Sequence, residues 1–142
     1  MILMDSDHLT ILIHPGSEQH ACLTVRMAAS ADQTFAATIV NAEEQLRGWL
    51  AEINRHRTPN RQLAAYEGMR KYLEFLRPFP LIPFEVRGAV EFERLRKAKV
   101  RIGSMDLKIA CIALVHNVLL ISANLRDFQQ VPGLRVENWL KE

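Results

Sequence analysis

A single-domain α/β fold, with a short and mostly parallel central sheet held between two layers of helices, is what the sequence predicts. Three observations predict it: a length of 142 residues, short apolar runs separated by helical patterns of ten residues or more, and acids standing where those runs stop. The length suits one hydrophobic core, so residues 1–142 read as one domain. Connections long enough to hold a helix join parallel strands and place helices on the sheet faces.

The first strand is the apolar run Met1 to Met4, ending at Asp5. Leu9, Leu12 and Ile13 then recur at helical spacing until Pro15-Gly16 breaks the pattern, and a second helix covers Ser17 to Ala29. Phe35 to Val40 reads as the second strand, followed by a helix with Asn41 as its cap and Leu46, Trp49, Leu50 and Ile53 on one face. Pro59 suits the first turn of another helix, whose apolar face is Leu63, Tyr66, Met69, Leu73 and Leu76. Three prolines between Arg77 and Phe84 confine any strand there to a short edge piece. A helix over Glu85–Ala98 carries Val86, Val90 and Leu95. Gly103 interrupts the chain, and Ser104 or a residue beside it caps a very apolar helix that runs to Val115. Val118–Ile121 reads as a buried strand and Leu134–Val136 as a last short one. No repeat or low-complexity tract is present.

Composition narrows the functional classes. Apolar residues at 49% and charged residues at 24% are a globular balance and exclude a disordered chain. Two cysteines, Cys22 and Cys111, cannot make a disulfide framework or a four-cysteine zinc site, and both sit in apolar helical surroundings. The longest unbroken apolar run, Ile109–Val115, has seven residues, against roughly 20 needed to span a bilayer. Met1–Asp5 has no basic region of the kind that opens a signal peptide. A cytoplasmic protein with no membrane segment is therefore the expectation. A net charge of +2 neither demands nor forbids a nucleic-acid partner.

In parallel sheets ligands bind beyond the carboxyl ends of the strands. There the sequence places Asp5 with Asp7, Glu44, Asp106 and Asp127. Ionised carboxylates gathered at one sheet edge repel one another unless a cation lies among them. Oxygen donors of this kind suit Mg²⁺ or Mn²⁺, and the chemistry they support is phosphodiester hydrolysis. Each acid also has a purely structural reading: Asp5 as a turn residue, Glu44 as a capping-box acid three residues after Asn41, Asp106 as a helix N-terminal charge, and Asp127 as a loop acid beside Arg126. Glu43 competes with Glu44. What distinguishes the four is their common placement.

Four blocks in order then resemble a known family: Met4-Asp5-Ser6-Asp7; Thr38 to Gly48 (Thr-Ile-Val-Asn-Ala-Glu-Glu-Gln-Leu-Arg-Gly); Ile102 to Ala110 (Ile-Gly-Ser-Met-Asp-Leu-Lys-Ile-Ala); and Leu120 to Phe128 (Leu-Ile-Ser-Ala-Asn-Leu-Arg-Asp-Phe) with Val131 to Trp139 after it. Over nearly its whole length the chain resembles the PIN-domain ribonucleases, and among them the VapC toxins of type II toxin–antitoxin systems. The resemblance implies a three-layer α/β/α PIN-like fold and a metal-dependent endoribonuclease. It implies that Asp5, Glu44, Asp106 and Asp127 are the catalytic acids, that Asp5, Asp106 and Asp127 hold Mg²⁺ (or Mn²⁺), and that Ser6, Asp7, Ser122 and Asn124 support them. In the family the helix acid stands four residues before a glycine, which selects Glu44 by counting back from Gly48. Asp7 departs from the family, where asparagine is common, and adds a negative charge. The partners implied are an RNA substrate, a cognate VapB-like antitoxin whose C-terminal segment occupies the cleft, and a second copy in a homodimer.

Other readings are weaker. A signalling receiver domain also gathers acids at strand ends, but it needs a lysine after a late strand, and Ser122–Asp127 contains none. A catalytically silent module that keeps the fold and its binding contacts is the alternative function. Arg94, Arg96, Lys97, Lys99 and Arg101 form a basic run that could meet phosphate or be solvated, as could Arg55, Arg57 and Arg61. The histidines show no metal-ligand spacing, and only His8 stands near an acid of the site. Trp49, Tyr66 and Tyr72 read as core or interface residues, and Met69 and Leu73 as a dimer or antitoxin surface.

Overall fold

The computed structural model describes residues 1–142. The elements run β1 (Ile2–Met4), α1 (Ser6–Ile13), α2 (Glu18–Ala29), β2 (Phe35–Thr38), α3 (Ile39–Arg55), α4 (Pro59–Leu76), β3 (Leu81–Ile82), α5 (Val86–Lys97), α6 (Ser104–His116), β4 (Leu119–Ile121), α7 (Leu125–Phe128) and β5 (Val136–Glu137). The sheet order is β3-β2-β1-β4-β5, and every pairing is parallel.

Side chains alternate across this sheet as the period of two requires. On one face Leu3, Ala36 and Leu120 pack with Val40, Leu95, Leu107, Ile109 and Phe128, that is, with α3, α5, α6 and α7. On the other, Ile2, Met4, Phe35, Ala37 and Ile121 pack with Leu9 of α1, Leu23 of α2, Trp139 and Leu140. The result is the expected three-layer α/β/α arrangement.

The structure corrects several local expectations. The second strand stops at Thr38, and Thr38, not Asn41, caps α3: its hydroxyl accepts the Asn41 N–H at 3.1 Å, while Asn41 Oδ1 accepts the Thr38 N–H at 3.1 Å. That reciprocal box occupies the N3 position with Asn41, so Glu44 is not a capping acid. Within the span expected for the α6 cap, the N-cap is Gly103 and Ser104 is the first helical residue. The last strand is shifted to Val136–Glu137, and α7 is a helical turn the apolar periodicity does not announce.

Three of the five residues in the apolar stripe read on α4 face outward, Leu63 at 61% exposure with Tyr66 and Leu73 also exposed; Met69 is half-buried, Leu76 packs against the core, and Ala65 and Tyr72 are the buried residues of the helix. On α5 only Leu95 of the three predicted residues is buried. Cys22 and Cys111 are both free, and no helix is long and apolar enough to cross a membrane.

Candidate active site

Strand order reverses between β1 and β4, the pair from which the chain departs in opposite directions across the sheet. The carboxyl ends of two strands at such a reversal flank the opening where parallel sheets hold ligands. The register Met4↔Ile121 brings Asp5 and Ser122 side by side at this edge.

Asp5 is the N-cap of α1, and its carboxylate is buried and held by three donors. Oδ1 accepts the Ser6 N–H at 2.8 Å and the Asn41 amide at 3.1 Å; Oδ2 accepts the Ser122 hydroxyl at 2.7 Å. Asn41 Nδ2 also donates to Ser6 Oγ at 3.1 Å. The Thr38–Asn41 box therefore aims Asn41 across the opening, and α3 is joined to α1 through the site. In the sequence Asn41 reads only as a helix cap, and the signal that points to its further role is the Thr-x-x-Asn spacing at a helix start.

A second group of acids is gathered by Asn124, the residue before α7. Its Nδ2 lies 3.1 Å from Asp106 Oδ2 and 3.1 Å from Asp127 Oδ2, so one amide spans both carboxylates. Asp106 sits in the first turn of α6, and Asp127 in α7. Glu44 makes no hydrogen bond in the site, but its charge acts on Asp106. Its neighbour Glu43 is taken up by Arg47 at 2.7 Å, one turn along α3. Asp7 lies in the first turn of α1 with both oxygens engaged, one by His8 Nδ1 at 2.5 Å and the other by the Ala123 N–H at 2.9 Å.

This gathering is electrostatically unfavourable. Burial, reinforced by the nearby Asp7 charge, pushes the Asp5 carboxyl up to about 7 from its ordinary 3.8. Asp106 is also raised, first by burial and then by Glu44 and Asp127. None of the charges that raise or lower these two groups belongs to a lysine or arginine. A cation is what such a set lacks.

The acids fit one kind of ion. No three carboxylate, histidine or cysteine side chains stand close enough to form a ready-made cage, which is unlike a structural zinc centre. Mg²⁺ keeps several of its waters and takes only one or two protein carboxylates directly, so a spread of acids around one opening suits it.

Nearby, the Tyr72 hydroxyl is buried without a partner, and burial, with the Glu44 charge, raises it to about 12. In the basic run, Arg94 is paired with Glu91, and Arg96 lies over Phe92 and reaches the Val100 carbonyl; Lys97, Lys99 and Arg101 are exposed.

No family model matches the sequence. Among curated relatives, the chain is 31% identical over 85 residues to the tRNA(fMet)-specific endonuclease VapC of Salmonella typhimurium, a match covering 57% of this chain and 60% of that protein. It is 31% identical over 86 residues to ribonuclease VapC2 of Haemophilus influenzae, covering 58% and 61%. These matches span about three fifths of the relatives' length. Solved structures match over nearly the whole chain. VapBC-1 of nontypeable Haemophilus influenzae superposes with a TM-score of 0.72 at 20% identity, covering 99% of this chain and 100% of that one. DNA-bound VapBC of Salmonella typhimurium gives 0.69 at 21% identity, covering 97% of each. At such identities the structural likeness establishes the fold.

Proposed function

We propose that this chain, which is of the VapC PIN-domain type in fold and in sequence, is a divalent-metal-dependent endoribonuclease that hydrolyses RNA phosphodiester bonds. The observation that carries the reading is the joint placement of Asp5, Asp106, Asp127 and Glu44 at the strand-order reversal, with two of them pushed up in pKa and no basic side chain set against them. The ribonuclease names of the sequence relatives give the reaction class.

Asp5, Asp106 and Asp127 would hold the ion, with Glu44 completing the site directly or through water. Mg²⁺ or Mn²⁺ bound there supplies an activated water and neutralises charge on the phosphate. The protein's part is preorganisation. Ser6, Asn41 and Ser122 fix the Asp5 carboxylate, so it does not have to be ordered when RNA arrives. Asn124 keeps Asp106 and Asp127 turned toward each other despite their charges. No serine or histidine nucleophile is required.

As partners we propose a VapB-like antitoxin and a second copy of the chain, since the solved structures of this fold include VapBC complexes. The outward apolar residues Leu63, Tyr66 and Leu73 of α4 offer a surface for one of them.

The test is cleavage of pooled cellular RNA by the purified protein with Mg²⁺ or Mn²⁺, with EDTA, and with Asp106→Asn beside it. Discrete cuts that vanish with EDTA and with the variant are expected. Folded protein that never cuts RNA, with either metal, would shift the assignment to a silent binding module.

A further inference from the structure

We infer that His8 is a positioning residue: acting through Asp7, it sets the loop after β4 that orders the acids and ties that loop to the C-terminal segment. The inference rests on the proposed metal site, but the geometry behind it is independent of any ion.

The His8 ring is fully buried, at 0% exposure, in the first turn of α1. Its Nε2 lies 3.2 Å from the backbone nitrogen of Trp139. A backbone N–H can only donate, so Nε2 accepts and the ring proton sits on Nδ1. Nδ1 stands 2.5 Å from Asp7 Oδ1 and donates to it. The opposite oxygen of Asp7 accepts the Ala123 N–H at 2.9 Å and faces the Ser122 hydroxyl at 3.4 Å.

With donors on both oxygens, Asp7 works as a strut between helix α1 and the loop after β4. That loop supplies one of the three donors to Asp5, Ser122, and through Asn124 the amide that spans Asp106 and Asp127. Behind His8 the strut has a rigid backing, because the Trp139 ring is packed edge-on against Phe35 and lies under the Arg26 guanidinium. Partners one step removed from a metal ligand commonly set its orientation and the affinity of the site.

The experiment uses the full chain and the variants His8→Leu, His8→Asn and His8→Ala, each titrated with Mn²⁺ by calorimetry and assayed for RNA cleavage, with folding checked by circular dichroism. Packing and positioning predict opposite orders. Leucine keeps the volume and loses the donor; asparagine leaves a gap but carries an amide N–H close to where Nδ1 was. Positioning predicts that His8→Asn holds Mn²⁺ affinity within about threefold of wild type while His8→Leu and His8→Ala lose about tenfold or more. His8→Leu equal to or better than His8→Asn overturns the inference. If His8→Leu does not fold, His8→Ala against His8→Asn makes the same comparison, since both leave the gap and one alone donates. Ring ¹⁵N resonances of the wild type give a reading that needs no variant: the Nδ1–H tautomer is expected, and an Nε2–H tautomer overturns the inference. Wild type that binds no Mn²⁺ overturns it together with the functional reading. Wild type that binds Mn²⁺ and cuts RNA, beside an equally competent His8→Leu, overturns it alone.

Discussion

Asp5 is where function and stability pull apart. Its carboxyl is buried, surrounded by hydrogen-bond donors, and still pushed up to about 7, because burial and the Asp7 charge outweigh those donors. The folded-state pKa lies above the ordinary 3.8, so the favourable contribution of the protonated group is complete below about pH 4 and is lost as the pH rises through about 7. Metal-free protein should therefore melt at lower temperature at pH 7.5 than at pH 5, as read by calorimetry in EDTA. Asp5→Asn keeps an oxygen for the Ser6 N–H and offers an amide to Ser122 Oγ, so the fold tolerates it. The variant should lose RNA cleavage and yet, in EDTA at pH 7.5, melt at least about 3 °C higher than wild type. A variant that stays active, or one that melts lower, would contradict this account.

Elements are placed by packing that propensity alone does not reveal. Helix α4 contains Gly68, and a Cβ built there would come within 2.3 Å of the Trp49 ring of α3. Glycine inside a helix normally costs about 1 kcal/mol relative to alanine, so an isolated helix would gain from Gly68→Ala. In this protein the close approach of the indole should reverse the sign, and Gly68→Ala should destabilise by roughly 1–3 kcal/mol through forced repacking. Urea unfolding of the two proteins checks it; a stabilised variant would mean that the ring moves aside freely. In the same helix the apolar stripe and the packed face do not coincide. Leu63, Tyr66 and Leu73 have the spacing of a buried face, yet in this part of the helix the packed residues are Ala65, Tyr72 and the Gly68 notch, and the core is met by Phe75 and Leu76 at its end. Small residues set which side of α4 approaches α3, and periodicity weighted by hydrophobicity gives them little weight.

For the whole molecule, the strand order β3-β2-β1-β4-β5 brings acids far apart in the chain to one edge of the sheet, so binding of the proposed ion would be coupled to folding. An ion bound among Asp5, Asp106 and Asp127 relieves repulsion in the folded state only, so it should stabilise by about 2.7 kcal/mol at a hundred times its dissociation constant. Mg²⁺ or Mn²⁺ should raise the melting temperature of wild type and leave that of Asp5→Asn nearly unchanged. An equal rise in both would place the ion elsewhere.

Much of this architecture can be read along the chain. The alternation in β1, β2 and β4, the Pro59 helix start and the proline-limited edge strand are local features, fixed by period and backbone sterics, and among the acids Asp5 stands at the end of β1 and Asp106 at the start of α6, both of which those features define. The roles inside the site are different. Asn41 reads as a cap and is instead turned by Thr38 toward Asp5; Asp7 reads as an extra charge in the site and is a strut between His8 and Ala123; Glu43 and Glu44 differ in that Arg47 takes up one of them. Each outcome depends on a donor or acceptor brought from a distant element or fixed by helix phase, and hydrogen bonds across a fold leave no periodic trace in the chain. Sequence pattern thus determined the layers and pointed to the acids, while tertiary structure decided which side chains hold those acids in place, because those contacts join elements far apart in the chain.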